Sequence, residues 1–487
     1  MLRPSALAPA TAAGLVFAAS GAVLVLEILG IRLLAPYVGL TLETTTAIIG
    51  TVLAGIAAGA ALGGHAADEL DARRLLPALL AGGGVLALAT VPLVRVLGPP
   101  LQAGGDAAAL LIRLLALFPP ACALSAVTPV VAKLQLRDLS ATGSVVGRLS
   151  AWATAGALVG TFATGFVLVP LLPTGVAVAV VGGGLVVLGL LTALRSGSLA
   201  GTAKLAAGAL VVGGGSALAG APCDAETKYH CARVVADAER PAGRTLVLDD
   251  LRHSYVDLAD LRHLEFDYVR WIGDAIDGMA PAGAPLDAVF VGGGGFTLPR
   301  YLAATRPGSR SRVLEVDEPL VDLVRERLGV RTGPALRVRT GDARVTLRRE
   351  PAASAELVVG DAFGARSVPW HLATVEFARE IRRVLRPGGL YALNVIDRPP
   401  LALLRAQAAT LMEVFGAVAV VGPPPSAGEP SGGNLVLLAS DAPLPAGTAS
   451  TARGARALAG AAVNRLVAGA QPLTDAAAPA DQLLSRR

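Results

Sequence analysis

Asp361 follows the apolar run Leu357-Val358-Val359-Gly360, and three other runs in the second half of the chain stop in the same way. Val289-Phe290-Val291 enters Gly292-Gly293-Gly294-Gly295, Val313-Leu314 enters Glu315-Val316-Asp317, and Arg337-Val338-Arg339-Thr340 enters Gly341-Asp342-Ala343. A glycine run lets backbone approach a ligand closely and frees the N-terminus of the helix behind it, although many such runs are only turns. Glu315, 23 residues after Gly292, ends the next strand, where an acid can accept both hydroxyls of a ribose. Asp342, with Ala343, can meet the amino group of an adenine or simply cap a helix at Arg344–Arg349. Asp361 ends the fourth run, beside the reacting end of such a ligand, as a base or as a turn aspartate.

The elements that must position these residues form an α/β unit. Apolar runs of four to six residues that stop at Gly or Asp, with helical stretches between them, are the pattern of a doubly wound, Rossmann-like parallel sheet. Ligands bind such sheets at the carboxyl ends of the strands. Arg379 to Leu385 reads as a helix stopped by Arg386-Pro387-Gly388-Gly389, with a strand through Tyr391–Ile396. Ahead of the sheet, Lys228–Asp237, Arg244–Asp249 and His253–Leu258 read as a small antiparallel sheet, and Leu264–Met279 as an amphipathic helix.

The first half is different in kind. Of 42 Lys/Arg and 37 Asp/Glu in the 487 residues, only eleven and seven fall before residue 222. Seven stretches there approach the roughly 20 apolar residues of a membrane span: 11–34, 44–64, 76–97, 107–130, 150–172, 174–194 and 203–221. The chain therefore divides into a multi-pass membrane domain (1–221), a small antiparallel subdomain with its connecting helix (222–283) and the α/β domain (284–487). The lipid bilayer is the first expected partner. The net charge of +5 includes no basic run, which argues against nucleic acid. No Cys/His cluster has zinc spacing, so no metal is expected.

Arg3, Arg73, Arg74, Lys133, Arg137, Arg148, Arg195 and Lys204 flank the N-terminus and alternate loops, and the opposite loops carry Arg95 alone. That bias puts the N-terminus in the cytoplasm and, with seven spans, the α/β domain outside it. Glu27 and Arg32 lie inside the first span, as functional groups or as a snorkelling or helix-paired pair. Gly55, Gly59 and Gly63 have the spacing of close helix packing. Cys223 and Cys231 either join as a disulfide, if they face an oxidising compartment, or are two unrelated thiols.

The order of Leu246-Val247-Leu248-Asp249, Gly292–Gly295, Leu314-Glu315-Val316-Asp317, Gly341-Asp342-Ala343, Gly360-Asp361, Arg386-Pro387-Gly388-Gly389 and Leu473-Thr474-Asp475 resembles the spermidine synthase family of aminopropyltransferases, on the S-adenosylmethionine-type methyltransferase fold. With the preceding spans and Arg32-Leu33-Leu34-Ala35-Pro36-Tyr37-Val38-Gly39, the chain resembles the membrane-fused members of that family. The resemblance implies a transferase using decarboxylated S-adenosylmethionine or S-adenosylmethionine, a small-molecule amine acceptor, a dimer, Asp361 as catalytic base, and Glu315 and Asp342 as nucleoside ligands. A methyltransferase is the nearest other activity. His253 stands where the family has a Gln, and Leu264 with Glu265 where it has a Tyr–Gln/His pair, making His253 and Glu265 the expected substrate contacts. Gly295 and Gly364 stand where the family places acids that hold cationic groups. The alternatives are a divergent extracytoplasmic enzyme or binding domain that makes no spermidine, and a transport or scaffold protein with a regulatory nucleoside-binding domain.

Overall fold

The computed structural model describes residues 7–39, 42–102, 105–136, 139–218, 222–364, 368–423, 432–444 and 455–484. Arg3 and Arg137 of the charge pattern, and residues 219–221 of the seventh apolar stretch, lie outside them. The chain forms two compact units, Met1–Cys231 and Ala232–Arg487.

The first unit is helical. Six of its described helices are long and apolar enough to cross a bilayer: Pro9–Val38, Glu43–Glu69, Ala72–Pro100, Ala107–Gln135, Thr142–Leu171 and Thr174–Ser196. The seventh expected stretch falls in the helix Leu199–Leu218, whose described apolar part, Leu199–Gly213, is shorter. Gly59 and Gly63 do what their spacing suggests: an added Cβ would lie 2.1 Å from the Cys122 carbonyl oxygen and 2.6 Å from Ala126 Cα. Only a bare backbone lets these helices approach so closely. Arg32 is paired rather than adrift in lipid. Its guanidinium donates to the carbonyls of Thr227 (2.5 Å) and Lys228 (2.8 Å) and lies 3.6 Å from the Glu226 carboxylate.

The second unit carries the sheets. Cys231–Ala236, Gly243–Leu248 and Leu251–Asp257 pair antiparallel in chain order. The helix Asp267–Gly278 follows and buries Tyr268, Val269, Trp271, Ile272, Ala275 and Ile276, the single face that its apolar spacing defines. The main sheet has eight strands and is mixed. Leu385–Asp397, Ala355–Gly360, Asp287–Val291, Arg310–Glu315 and Leu336–Thr340 lie side by side and run parallel. Gly433–Ser440, Ala417–Gly422 and Arg456–Ala459 extend the first of these edges antiparallel. Arg386–Gly389 lies inside its strand, because the helix Val375–Val384 already ends one residue before it begins.

The connections leave Asp287–Val291 in one direction toward Arg310–Glu315, and the chain returns on its other side as Ala355–Gly360. The crevice at that reversal, outside the carboxyl ends, is where such sheets hold ligands. Gly292 and Asp361 are the first residues past the two strands that flank it.

Candidate functional site

The glycine run is shaped by close approach. Gly292 (φ +94°) and Gly294 (φ +46°) adopt conformations that side chains disfavour. A Cβ at Gly292 would lie 2.5 Å from the carbonyl oxygen of Asp361, so the two strand ends touch through backbone. A Cβ at Gly293 would press on the Phe296 ring and Val313. Gly295 donates its N–H to Ser254 Oγ at 3.0 Å, and the helix Thr297–Thr305 begins directly afterwards.

Glu315 is buried, and both of its oxygens are used. One accepts the Gly293 N–H at 2.7 Å and the other the Asp317 N–H at 3.0 Å. The carboxylate thus ties the end of its strand to the glycine loop. Asp342 caps its helix through the Arg344 N–H (2.7 Å), and its other oxygen lies 3.2 Å from His371 Nε2. Ala343 packs its methyl group into the core behind the sheet.

Asp361 is the most perturbed acid of the group. It accepts from Asn394 Nδ2 at 2.9 Å and from the Tyr268 hydroxyl at 3.2 Å. Burial pushes its pKa up to about 6, against the opposing pull of the Asn394 and Tyr268 hydrogen bonds. Burial, together with the facing Asp361 charge, raises the Tyr268 phenol well above its ordinary range, so it stays a neutral donor.

A cleft partly open to solvent adjoins these groups. Its wall includes Gly292, Gly293, Gly294, Asp361, Tyr268, His253, Ser254 and Glu265. The structure therefore brings the glycine loop, Asp361 and both expected substrate residues around one space. Glu315 and Asp342 stand outside that wall, one and two strands further along the sheet. Glu265 already has partners, His263 Nε2 at 3.0 Å and the Arg270 guanidinium at 4.0 Å.

Two residues of the site were missed by sequence reasoning. Tyr268 brings a phenol to Asp361 from the helix that follows Leu264 and Glu265. Its position on the buried face of an amphipathic helix reads as core in sequence. Asn394 did leave a signal: it is the one polar residue in Tyr391-Ala392-Leu393-Asn394-Val395-Ile396, and a buried amide in a strand requires a partner.

No protein-family model matches the chain. Over 165 residues it is 32% identical to the polyamine aminopropyltransferase of Vibrio vulnificus (strain CMCP6), an alignment covering 33% of this chain and 53% of that protein. Over that stretch the chain is similar to an aminopropyltransferase. The chain spans about half the length of this curated relative. Among solved structures, a probable spermidine synthase from Corynebacterium glutamicum ATCC 13032 shares 29% identity, with 52% of this chain and 95% of that one covered and a TM-score of 0.48. Spermidine synthase from Thermotoga maritima shares 16% identity, covering 43% of this chain and 69% of that one at a TM-score of 0.33. In the second unit, the two positions where acids were expected differ physically. Among the described residues nothing lies within 4 Å of a Cβ built on Gly364, whereas a Cβ at Gly295 would sit 2.8 Å from Ser254 Cβ.

Proposed function

We propose that this chain is a membrane-embedded transferase that moves an alkyl group, of the aminopropyl kind, from a sulfonium nucleoside to an amine, with Asp361 as the base. The observation that carries the reading is Asp361: a buried carboxyl with its pKa at about 6, fixed by two neutral donors, on a cavity wall beside the glycine loop. A base poised near neutral pH combines the right protonation state with useful proton affinity.

The residues present fit a nucleoside donor, S-adenosylmethionine or its decarboxylated form. Gly292–Gly294 give a wall without side chains, and Glu315 and Asp342 present carboxylates at the next two strand ends. When bound, such a donor supplies an electrophilic carbon next to a positively charged sulfur. The amine lone pair forms the new C–N bond, the C–S bond breaks with its electron pair passing to sulfur, and Asp361 takes the proton shed by nitrogen. Placement and desolvation supply most of the acceleration in such a displacement. Putrescine is expected to be a poor acceptor, because Gly295 and Gly364 contribute no carboxylate to hold a second ammonium. The test is product formation from labelled donor with putrescine, with spermidine and with no added acceptor. Asp361→Asn should abolish any transfer while sparing nucleoside binding. Unchanged turnover would remove Asp361 from the mechanism, and rapid putrescine turnover by the wild type would overturn the acceptor argument.

A second observation bears on location. Cys223 and Cys231 are joined as a disulfide, a bond that persists in oxidising compartments. With the loop-charge bias, this supports an extracytoplasmic second unit, a divergent enzyme displaced from the usual pool of nucleoside donors.

A further inference from the structure

The second half of the glycine loop, Gly294 and Gly295, meets different side chains from Gly292, which abuts Asp361. Two side chains of the strand Leu251–Asp257 lie against it, His253 and Ser254, and both line the cavity with Gly292–Gly294. A Cβ built on Gly294 would be 2.7 Å from Ser254 Oγ and 3.5 Å from His253 Nδ1, and one built on Gly295 would be 2.8 Å from Ser254 Cβ. Ser254 therefore takes up the room in which a side chain at Gly295 would begin, and the imidazole stands in ordinary contact beside Gly294. Ser254 Oγ accepts from the Gly295 N–H, which leaves its own proton to donate. Helix Thr297–Thr305 opens just beyond and adds the positive end of its dipole. Two carboxylates share the wall: Asp361 past the Ala355–Gly360 strand, bonded to Asn394 and Tyr268, and Glu265, engaged by His263 and Arg270.

A hydroxyl donor, an imidazole and a helix N-terminus complement negative charge, and nothing on this loop offers an acceptor carboxylate to an ammonium. We propose that His253 and Ser254 select a sulfonium nucleoside whose side chain keeps its carboxylate, S-adenosylmethionine in place of the decarboxylated form. The proposal rests on the sulfonium-donor reading and specifies the tail of the donor. The loss of an acid at Gly295 is then part of a rebuilt subsite, since Ser254 has taken up the room and turned the local polarity around.

The test is calorimetric and does not require turnover. Full-length protein in detergent is titrated with S-adenosylmethionine, with its decarboxylated form and with methylthioadenosine, whose tail carries no charge. The carboxylated donor should bind at least about tenfold more tightly than the decarboxylated one. Ser254→Ala and His253→Gln should each weaken the carboxylated donor and leave methylthioadenosine unchanged, which also reports that the fold is intact. The double variant S254G/G295D, which clears the room and restores an acid, should reverse the preference. Equal or tighter binding of the decarboxylated donor by wild-type protein, with methylthioadenosine still bound, overturns this proposal alone. Absence of binding by all three, methylthioadenosine included, overturns it together with the sulfonium reading.

Discussion

Asp361 is held by two donors that stay neutral, so its charge is paid for by neither, and that determines how the site responds to pH. Its folded pKa of about 6 lies above the ordinary carboxyl value of 3.8, so ionisation is costlier in the fold than in the unfolded chain. The stability tied to its protonated form is whole below about pH 4 and is lost as pH rises through about 6. Asp361→Asn removes that cost. The new amide finds an acceptor close by, because Asn394 Oδ1 is buried without a hydrogen-bond partner and a flip of that side chain turns it inward. The variant should match wild type at pH 4 and be more stable at pH 8, by up to roughly 3 kcal/mol for a shift of two units. Thermal unfolding at both pH values checks this, and a variant no more stable at pH 8 would mean that Asp361 is well solvated. Tyr268→Phe removes one of the bonds that favour the ionised acid, so the acid limb of the pH–activity profile should move to higher pH. A profile that stays in place would relieve Tyr268 of any part in tuning Asp361.

Between strand and loop, Glu315 works as a tie, whatever it adds in the ligand role proposed for it. Its bonds to the Gly293 and Asp317 amides fix the glycine loop against the neighbouring strand end before any nucleoside arrives. Hydrogen bonds to a charged group contribute about 1.5–3 kcal/mol each, so Glu315→Ala should lower stability as well as weaken methylthioadenosine binding by tenfold or more. Glu315→Gln keeps one acceptor oxygen and should fall between wild type and Ala on both counts. Calorimetry beside thermal unfolding separates the two roles: weakened binding with undiminished stability would leave only the ligand role. The parallel strands were legible because each apolar run stops at glycine or an acid, as at Gly292, Glu315, Gly341 and Asp361. The antiparallel extension by Gly433–Ser440, Ala417–Gly422 and Arg456–Ala459 was not, since strand direction is set by pairing across the sheet and leaves no local mark. The same holds for Ser254. Its meeting with Gly295 depends on how the small sheet folds over the loop, 41 residues away in sequence.

For the whole molecule, the number of helices that cross the bilayer decides where the second unit works. Six crossings return the chain to the side of its N-terminus, and seven place it opposite. The six long apolar helices are followed by Leu199–Leu218, whose described part is apolar but short. Two features press for a seventh crossing. Positive charge gathers at Arg73, Arg74, Lys133, Arg148, Arg195 and Lys204, the bias expected of a cytoplasmic face. Beyond Leu218, the Cys223–Cys231 disulfide and the clasp of Arg32 on Thr227 and Lys228 tie the emerging segment to the end of the first helix, on the face opposite that charge. A C-terminal phosphatase fusion should therefore be active and a fluorescent fusion that matures only in the cytosol should be dark. Peptides from unreduced, intact membranes should carry Cys223 linked to Cys231. The reverse fusion pattern with two free thiols would make Leu199–Leu218 an interfacial helix and return the unit to the cytosol. There S-adenosylmethionine is made, and the selectivity assigned to His253 and Ser254 would act on an abundant donor.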